Sequence, residues 1–398
     1  MIARGATMIR VFSSRLKWDS AVNPLTALLA EKRRTGVRVL DLTESNPTHA
    51  GFEYPGDEIL AALADVRFLR YDPAPRGLLS AREAVSEYYT QRGAAVDPAR
   101  ILLTASTSEA YAYLFKLLAD PGDELLVPRP SYPLFEFLAA MESVQIRQYP
   151  LRYDGAWHVD FDALEQAAGP RARAIVVVNP NNPTGSFLKR EERARLEEFA
   201  AARGIAILSD EVFSDFALAP DPARVSTMVG RCKALTFSMS GLSKIAGLPQ
   251  MKLGWIVAGG PGHEAALNGL EWIADTYLSV ATLVQVALPR LLRAGEAVRA
   301  QILERTRTNL EFLRRAMGAG SACQALNVEG GWYVILQVPR TRSEEQWALD
   351  LLAHHDVLVQ PGLFYDFDSE AFLVLSLLVP SQVFQQGVAQ ILHLIEKT

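Results

Sequence analysis

One lysine of this chain stands where a buried strand is expected to end. Lys244 closes the run Ser-Met-Ser-Gly-Leu-Ser-Lys, which follows the apolar stretch 234–237. Lysine is scarce in this sequence, with 8 lysines among 40 cationic residues. An amine held at a strand end among small hydroxyl side chains can form a Schiff base with an aldehyde cofactor. A lysine in such a place is more often structural, so this chemistry needs further motifs to support it.

Two polar clusters upstream of Lys244 follow apolar runs in the same way. Residues 179–185 read Asn-Pro-Asn-Asn-Pro-Thr-Gly, and residues 209–213 read Ser-Asp-Glu-Val-Phe. The apolar runs before them have the pattern of buried parallel strands. Asn182, Asp210 and Lys244 are 28 and 34 residues apart, which leaves room for a helical crossover each time. The three clusters are therefore predicted at the carboxyl edge of one sheet, where such folds bind ligands.

The three motifs together resemble those of class I/II aminotransferases, the fold type I enzymes that use pyridoxal 5'-phosphate (PLP). The resemblance extends from about residue 40 to the end of the chain. It implies an α/β fold with a mainly parallel, seven-stranded-type sheet, helices on both faces, and a smaller α+β domain. It also implies ping-pong transfer of an amino group between an amino donor and a 2-oxo acid.

Length and pattern changes predict how the 398 residues divide. We expect an N-terminal arm with part of the small domain at 1–50, a large PLP-binding domain at 51–290 and a small domain at 291–398. Long helices are predicted at 264–278, 281–293 and 296–317. Strands predicted from residue 332 onward then alternate with helices, which places the boundary near residue 290.

Composition narrows the classes of partner. The net charge of −5, with both signs interspersed, gives no basic face for nucleic acid. No apolar run reaches the length of a membrane span, and residues 1–12 lack the apolar core of a secretory signal. Two cysteines, Cys232 and Cys323, give no disulfide framework and fit a reducing cytoplasm. The histidines have no metal-ligand spacing, so no metal is expected.

The resemblance assigns roles around the cofactor ring. Lys244 would hold PLP and, once released by substrate, would move the proton as general base and acid. Asp210 would face the pyridine nitrogen and keep it protonated, and Asn182 would donate to the ring 3'-oxygen. Tyr132, in Pro-Ser-Tyr-Pro, matches the aromatic residue that stacks on the ring.

A second set of residues is implied for the cofactor phosphate. Ser106, Thr107 and Ser108 open a predicted helix, and a helix N-terminus with hydroxyl groups favours phosphate. Ser240 and Lys252 are expected to add a hydroxyl and a cation. Tyr71 matches the tyrosine that reaches the phosphate of the neighbouring subunit. This last match predicts a homodimer with shared active sites.

The sequence departs from the family at three places. Phe213 stands where tyrosine usually donates to the ring oxygen, so that oxygen has one fewer partner. Lys252 stands where arginine usually binds the phosphate, and lysine acts there as a point charge. Val374 stands where arginine usually clamps the substrate carboxylate. Either another residue supplies that contact, Asn46 being one candidate, or the donor is not an ordinary α-amino acid.

These departures leave other functions open at the sequence level. A different PLP enzyme on the same fold, such as a C–S lyase, an oxidase or a synthase, would use the same lysine, aspartate and asparagine. A non-catalytic protein of this fold is a further alternative, although the presence of Lys244 speaks against it. The release of a 2-oxo acid together with the pyridoxamine form of the cofactor separates an aminotransferase from both.

Overall fold

A computed structural model describes residues 13–16, 22–318 and 320–397. Its strands are β1 (Leu40–Asp41), β2 (Ile101–Thr104), β3 (Glu124–Arg129), β4 (Gln145–Tyr153), β5 (Trp157–Val159), β6 (Ala172–Val178), β7 (Ala206–Asp210), β8 (Thr236–Gly241), β9 (Gly254–Gly259), β10 (Gln324–Ala325), β11 (Tyr333–Gln337), β12 (Val357–Leu358), β13 (Gln360–Pro361) and β14 (Phe372–Ser376). Its helices are α1 (Pro24–Arg34), α2 (Gly56–Leu63), α3 (Leu79–Thr90), α4 (Thr107–Leu118), α5 (Leu134–Met141), α6 (Phe161–Ala167), α7 (Arg190–Arg203), α8 (Leu242–Ile245), α9 (His263–Tyr277), α10 (Thr282–Ala316), α11 (Glu344–His355) and α12 (Ser381–Glu396).

The large sheet has the order β2-β9-β8-β7-β6-β3-β4-β5 within the described residues. The strands from β8 to β4 run parallel to their neighbours, whereas β9 is antiparallel to both β2 and β8. The predicted α/β fold is confirmed, and the three-residue strand β5 extends the expected seven strands as an antiparallel hairpin with β4. Because β6, β7 and β8 are adjacent and parallel, their polar ends lie at one edge, as the sequence predicted.

Alternating side chains on the central strands explain why helices cover both faces of this sheet. Ala174 and Val176 of β6 pack against α4 and α9 on one face. Ile175 and Val177 of the same strand pack against α6 and α7 on the other. A parallel strand that is apolar on both sides requires a helical layer on each face. The two layers fix the ends of β6, β7 and β8 relative to one another.

The smaller domain is an antiparallel sheet of order β10-β11-β14-β13. Val334 and Leu336 of β11 face a core shared with α11 and α12. Tyr333 and Ile335 alternate to the opposite face, together with Val374 of β14. That second face meets residues of the large domain and forms one side of the cleft described below. Strand β1 pairs with β12, so the N-terminal part of the described chain joins this smaller domain.

One predicted break between helices is wrong. The helices predicted at 281–293 and 296–317 are a single helix of 35 residues, α10, and the predicted domain boundary near residue 290 falls inside it. Gly295 lies in the predicted gap, and a side chain there would place its Cβ 2.4 Å from Cβ of Ala246. Glycine is therefore needed for close packing between α10 and the segment after Lys244, and it does not end the helix.

Residues 1–12, which were predicted not to be a secretory signal, lie outside the described residues, as do residues 17–21, which precede α1. Within the part of the chain that is described, no helix combines the length and the apolar character needed to cross a bilayer.

Candidate active site

Lys244 lies in α8, the short helix that follows β8 directly, and its amine faces aromatic rings. Lys244 Nζ is 4.8 Å from the ring centroid of Trp332 and 5.6 Å from that of Phe213. Burial lowers the pKa of Lys244 to about 8, and the negative charge of Asp210 opposes this shift. An amine with a lowered pKa is partly unprotonated near neutral pH, which is the form that attacks an aldehyde.

Asp210 ends β7 and has a carboxylate held by two donors. The backbone N–H of Val212 donates to Oδ1 at 3.2 Å, and the Tyr111 hydroxyl donates to Oδ2 at 3.0 Å. Burial raises the pKa of Asp210 above its ordinary value, although these bonds and Lys244 act in the opposite direction. A buried carboxylate without an adjacent ion pair is stabilised by a cationic partner such as a protonated pyridine nitrogen. Tyr111 was not predicted, because a tyrosine inside an amphipathic helix has the pattern of an ordinary core residue.

Among the described residues, several buried polar atoms at this edge have no hydrogen-bond partner. Two of them are Oδ1 of Asn182, which follows β6, and Oγ of Ser240, which belongs to β8. Leaving such atoms unpaired is unfavourable, so a bound group with its own donors and acceptors is expected here. Rotation of the Asn182 amide can present its N–H₂ instead of its oxygen. A phenolic ring oxygen near Asn182 and a phosphate near Ser240 would satisfy both side chains, so PLP fits.

The start of α4 lies beside Ser240. A Cβ added to Gly254 of β9 would lie 3.0 Å from the Ser240 carbonyl oxygen and 3.2 Å from the Ser106 carbonyl carbon. Ser106 caps α4, because its Oγ accepts from the Glu109 N–H at 3.2 Å. The first turn of a helix leaves its N–H groups free for an anion. The structure thus places Ser106 near Ser240, and Thr107 and Ser108 follow Ser106 in the first turn of α4.

Lys252 lies at the margin of this group. Its side chain is exposed, and its backbone has φ of 49°, in the left-handed region. Its position two residues before Gly254 places it close in sequence to the glycine that touches Ser106 and Ser240. A phosphate contact from Lys252 stays a prediction.

The two predicted site tyrosines are exposed in the single chain. Tyr132 is 48% exposed in the loop after β3. The backbone N–H of its neighbour Ser131 donates to the Tyr365 carbonyl oxygen at 3.0 Å, whereas the buried Ser131 Oγ has no hydrogen-bond partner among the described residues. Tyr71 is 72% exposed and lines a small cavity with Leu278 and Ser279. Among the described residues, the aromatic rings found over Lys244 Nζ are those of Phe213 and Trp332. The roles of both tyrosines at the cofactor therefore also remain predictions.

The side of the cleft opposite the strand ends is apolar and aromatic. Val374 is 1% exposed, and Phe213 packs edge-on against the rings of Trp332 and Tyr333 at 5.1 and 6.4 Å. The same cluster contains Tyr365, whose hydroxyl donates to the Gln360 side chain. The position that is usually arginine is therefore filled by a valine packed into a closed surface.

Comparison with known proteins establishes the family. A sequence model for "Aminotransferase class I and II" matches residues 37–386. The chain therefore belongs to the class I and II aminotransferase family. Members of this family use PLP, and the protein is a PLP-dependent aminotransferase. The other PLP-dependent reactions considered from the sequence are not favoured.

Several characterised relatives share most of their length with this chain. Glutamate-pyruvate aminotransferase AlaA of Haemophilus influenzae is 27% identical over 359 residues, covering 84% of this chain and 85% of that protein. Tyrosine aminotransferase of Bos taurus is 24% identical over 420 aligned residues, covering 99% and 93%. The solved alanine aminotransferase of Pyrococcus furiosus superimposes with a TM-score of 0.86 at 22% identity, covering 97% and 100%. This last likeness supports the fold.

Proposed function

We propose that Lys244 is the residue that binds PLP covalently and carries the proton in amino-group transfer. The observation that carries this proposal is the amine of Lys244, with its pKa near 8, held at the strand-end edge beside Asp210. Bound PLP supplies the electron sink for the reaction. Displaced by the substrate amine, Lys244 Nζ would accept a proton from the substrate Cα and return it to the adjacent carbon of the cofactor.

The other strand-end residues hold the cofactor in this proposal. Asp210 keeps the ring nitrogen protonated, and Tyr111 orients the Asp210 carboxylate. Asn182 would donate to the ring oxygen, and Tyr132 would cover the ring. The start of α4, with Ser106, Thr107 and Ser108, would hold the phosphate together with Ser240, and Lys252 would supply a cation.

A homodimer with shared active sites is the second part of the proposal. Several apolar side chains around the Tyr71 cavity are exposed in the single chain. Leu278 lines that cavity, Leu69 and Tyr277 are close in sequence to residues that line it, and Trp272 lines a second cavity that shares Pro75 with it. Such a patch is typical of a protein interface. A second copy on this face would cover the patch and bring Tyr71 to the partner's phosphate. Sedimentation should give about twice the chain mass of 43.8 kDa, and Trp272→Glu should give inactive monomers.

The preferred donor and the compartment complete the proposal. Because Val374 removes the usual cation, aspartate and glutamate should be poor donors. Cys232 and Cys323 form no disulfide, which agrees with a cytoplasmic enzyme.

Reduction with borohydride tests the central assignment. Treatment of the holoenzyme should fix PLP to the peptide that contains Lys244, as read by mass spectrometry. Addition of amino donors to untreated enzyme should convert the bound cofactor to its amino form with release of a 2-oxo acid. Label on Lys252 or another lysine would contradict the assignment, and release of ammonia without the amino form would point to a lyase.

A further inference from the structure

The side of the cleft that lacks the usual arginine borders two other arginines, and each already has partners. Arg129 Nη2 is 2.7 Å from Oδ1 of Asp368. Arg305 Nη1 donates to the carbonyl oxygens of Ala50 and Leu378 at 3.3 and 3.2 Å. A substrate carboxylate opposite Val374 therefore needs a different donor.

Buried donors without a partner are the candidates for that contact. Among the described side chains, the buried nitrogen atoms that lack one are Nε of Arg129 and the indole Nε1 atoms of Trp157 and Trp332. Burying an N–H group without a partner destabilises the fold, so each of these should meet water or a ligand.

The three donors differ in their surroundings and in their distance from Lys244. Trp157 lines a cavity of about 20 Å³ that also contains Asn181, whose Oδ1 is unpaired. That volume and that donor–acceptor pair suit one water molecule. Arg129 is held by Asp368. Trp332 differs from both, because its ring centroid is only 4.8 Å from Lys244 Nζ, the reacting nitrogen.

We propose that the indole N–H of Trp332 is the donor that anchors the substrate carboxylate in place of the missing arginine. This rests on the proposed role of Lys244. A substrate amine takes the place of Lys244 Nζ, and its carboxyl carbon is only two bonds from that nitrogen. A donor on a ring that borders Nζ is therefore within reach of a carboxylate oxygen. Trp332 belongs to the same apolar cluster as Val374, so the replacement donor is on the side where the arginine is absent.

A single neutral donor should distinguish less than an arginine would between a carboxylate and an uncharged group. Bidentate guanidinium contacts are charge-assisted and strongly favour a carboxylate over an uncharged group. An indole N–H donates to a carboxylate oxygen and to an amide oxygen. The enzyme should therefore bind an amino acid and its primary amide with affinities within about tenfold of each other.

The test uses the holoenzyme and 3-phenylpropionate, a carboxylate that has no amine and cannot react. Calorimetry should show binding about tenfold weaker for Trp332→Phe than for wild type, which is the loss of one hydrogen bond. With a reacting donor, KM should rise by a similar factor while kcat changes little. Trp157→Phe is the matched control, since it removes the other buried indole N–H and should leave both values unchanged.

A measurement on the wild-type enzyme tests the same contact and does not depend on whether Trp332→Phe folds correctly. In the spectrum of ¹⁵N-indole-labelled protein, the Trp332 N–H resonance should shift when 3-phenylpropionate saturates the site. An unchanged resonance, or loss of binding in Arg305→Met or Arg129→Met instead of Trp332→Phe, would overturn the proposal. Cofactor absorbance is recorded in every sample, so failure of PLP to attach at Lys244 is seen separately as failure of the proposed function.

Discussion

The two sides of the cleft differ in what their side chains can do. The strand-end side has Asp210, Lys244 and the unpaired oxygens of Asn182 and Ser240, which together match the needs of PLP. The small-domain side has Val374 and a group of aromatic rings, with no arginine at the family's usual place. Cofactor chemistry and substrate recognition are therefore separable in this protein. The first is built on strand ends of one rigid sheet, whereas the second depends on a face contributed by another domain.

The largest expected effect comes from the strand-end side. Lys244→Ala should abolish covalent PLP attachment and lower transamination on the order of 10³-fold or more, because both the covalent link and the proton carrier are lost. Absorbance of bound cofactor and single-turnover kinetics measure this. Lys252→Ala is the control and should keep the covalent link. A Lys244→Ala enzyme that cycled at near wild-type rate would show that Lys244 is not the residue that binds PLP and carries the proton.

The next largest effect is expected in kcat/KM for amino donors, which depends on Val374 on the small-domain side. Wild-type kcat/KM for aspartate and glutamate should stay below ~10⁴ M⁻¹ s⁻¹, the low end for ordinary enzymes. Val374→Arg should raise kcat/KM for common α-amino acids about tenfold or more, since it restores a charge-assisted carboxylate contact. The preferred donor should not improve, because in the proposed arrangement the indole N–H of Trp332 already holds its carboxylate.

Val374→Leu serves as the control for a change of size without charge. Melting temperature should be recorded for both variants, because Val374 is buried and an added guanidinium lowers stability if it stays unpaired. Efficient wild-type turnover of aspartate would show that the small-domain side already contains a strong carboxylate site.

A smaller effect is expected at Tyr111. Tyr111→Phe removes the hydroxyl that donates to Asp210 and stabilises its charged form, so the pKa of Asp210 should rise further. The acid limb of the pH–rate profile should move up by about one pH unit, since Asp210 is then protonated at higher pH. Tyr113→Phe, whose hydroxyl faces Ser279, should leave that limb in place. An unmoved limb in Tyr111→Phe would mean that Asp210 does not limit the rate at acid pH.

The smallest effect is expected at Phe213, whose ring packs against Trp332 and Tyr333 on the small-domain side. Phe213→Tyr should return a donor to the cofactor ring oxygen and lower the pKa of the bound chromophore by about one unit, with little change in kcat. A spectrophotometric pH titration measures the shift. Phe216→Tyr adds a hydroxyl to the neighbouring ring and should give none. No shift in Phe213→Tyr would place the ring oxygen beyond the reach of residue 213.

Much of the strand-end side was predictable because its signals are local. Ser106, Thr107 and Ser108 were predicted to open a helix, and α4 begins at Thr107 with Ser106 as its cap. Apolar runs that end in Asn-Pro-Thr-Gly, Asp-Glu and Ser-Lys indicated strands whose ends would meet. The predicted gap between residues 293 and 296 was wrong, because Gly295 there allows close packing against Ala246 and does not break the helix. A local pattern cannot distinguish these two uses of glycine.

The fold class and the order of the polar strand ends follow from local sequence, since periodicity and crossover length are properties of neighbouring residues. The side chains that surround Lys244 are set by tertiary packing. Tyr111 and Trp332 have the sequence pattern of core aromatics, and nothing near them in the chain indicates a site. Trp332 is 88 residues after Lys244 and meets it only because the small domain packs against the large sheet. Contacts between domains depend on how whole faces fit, which no short stretch of sequence encodes.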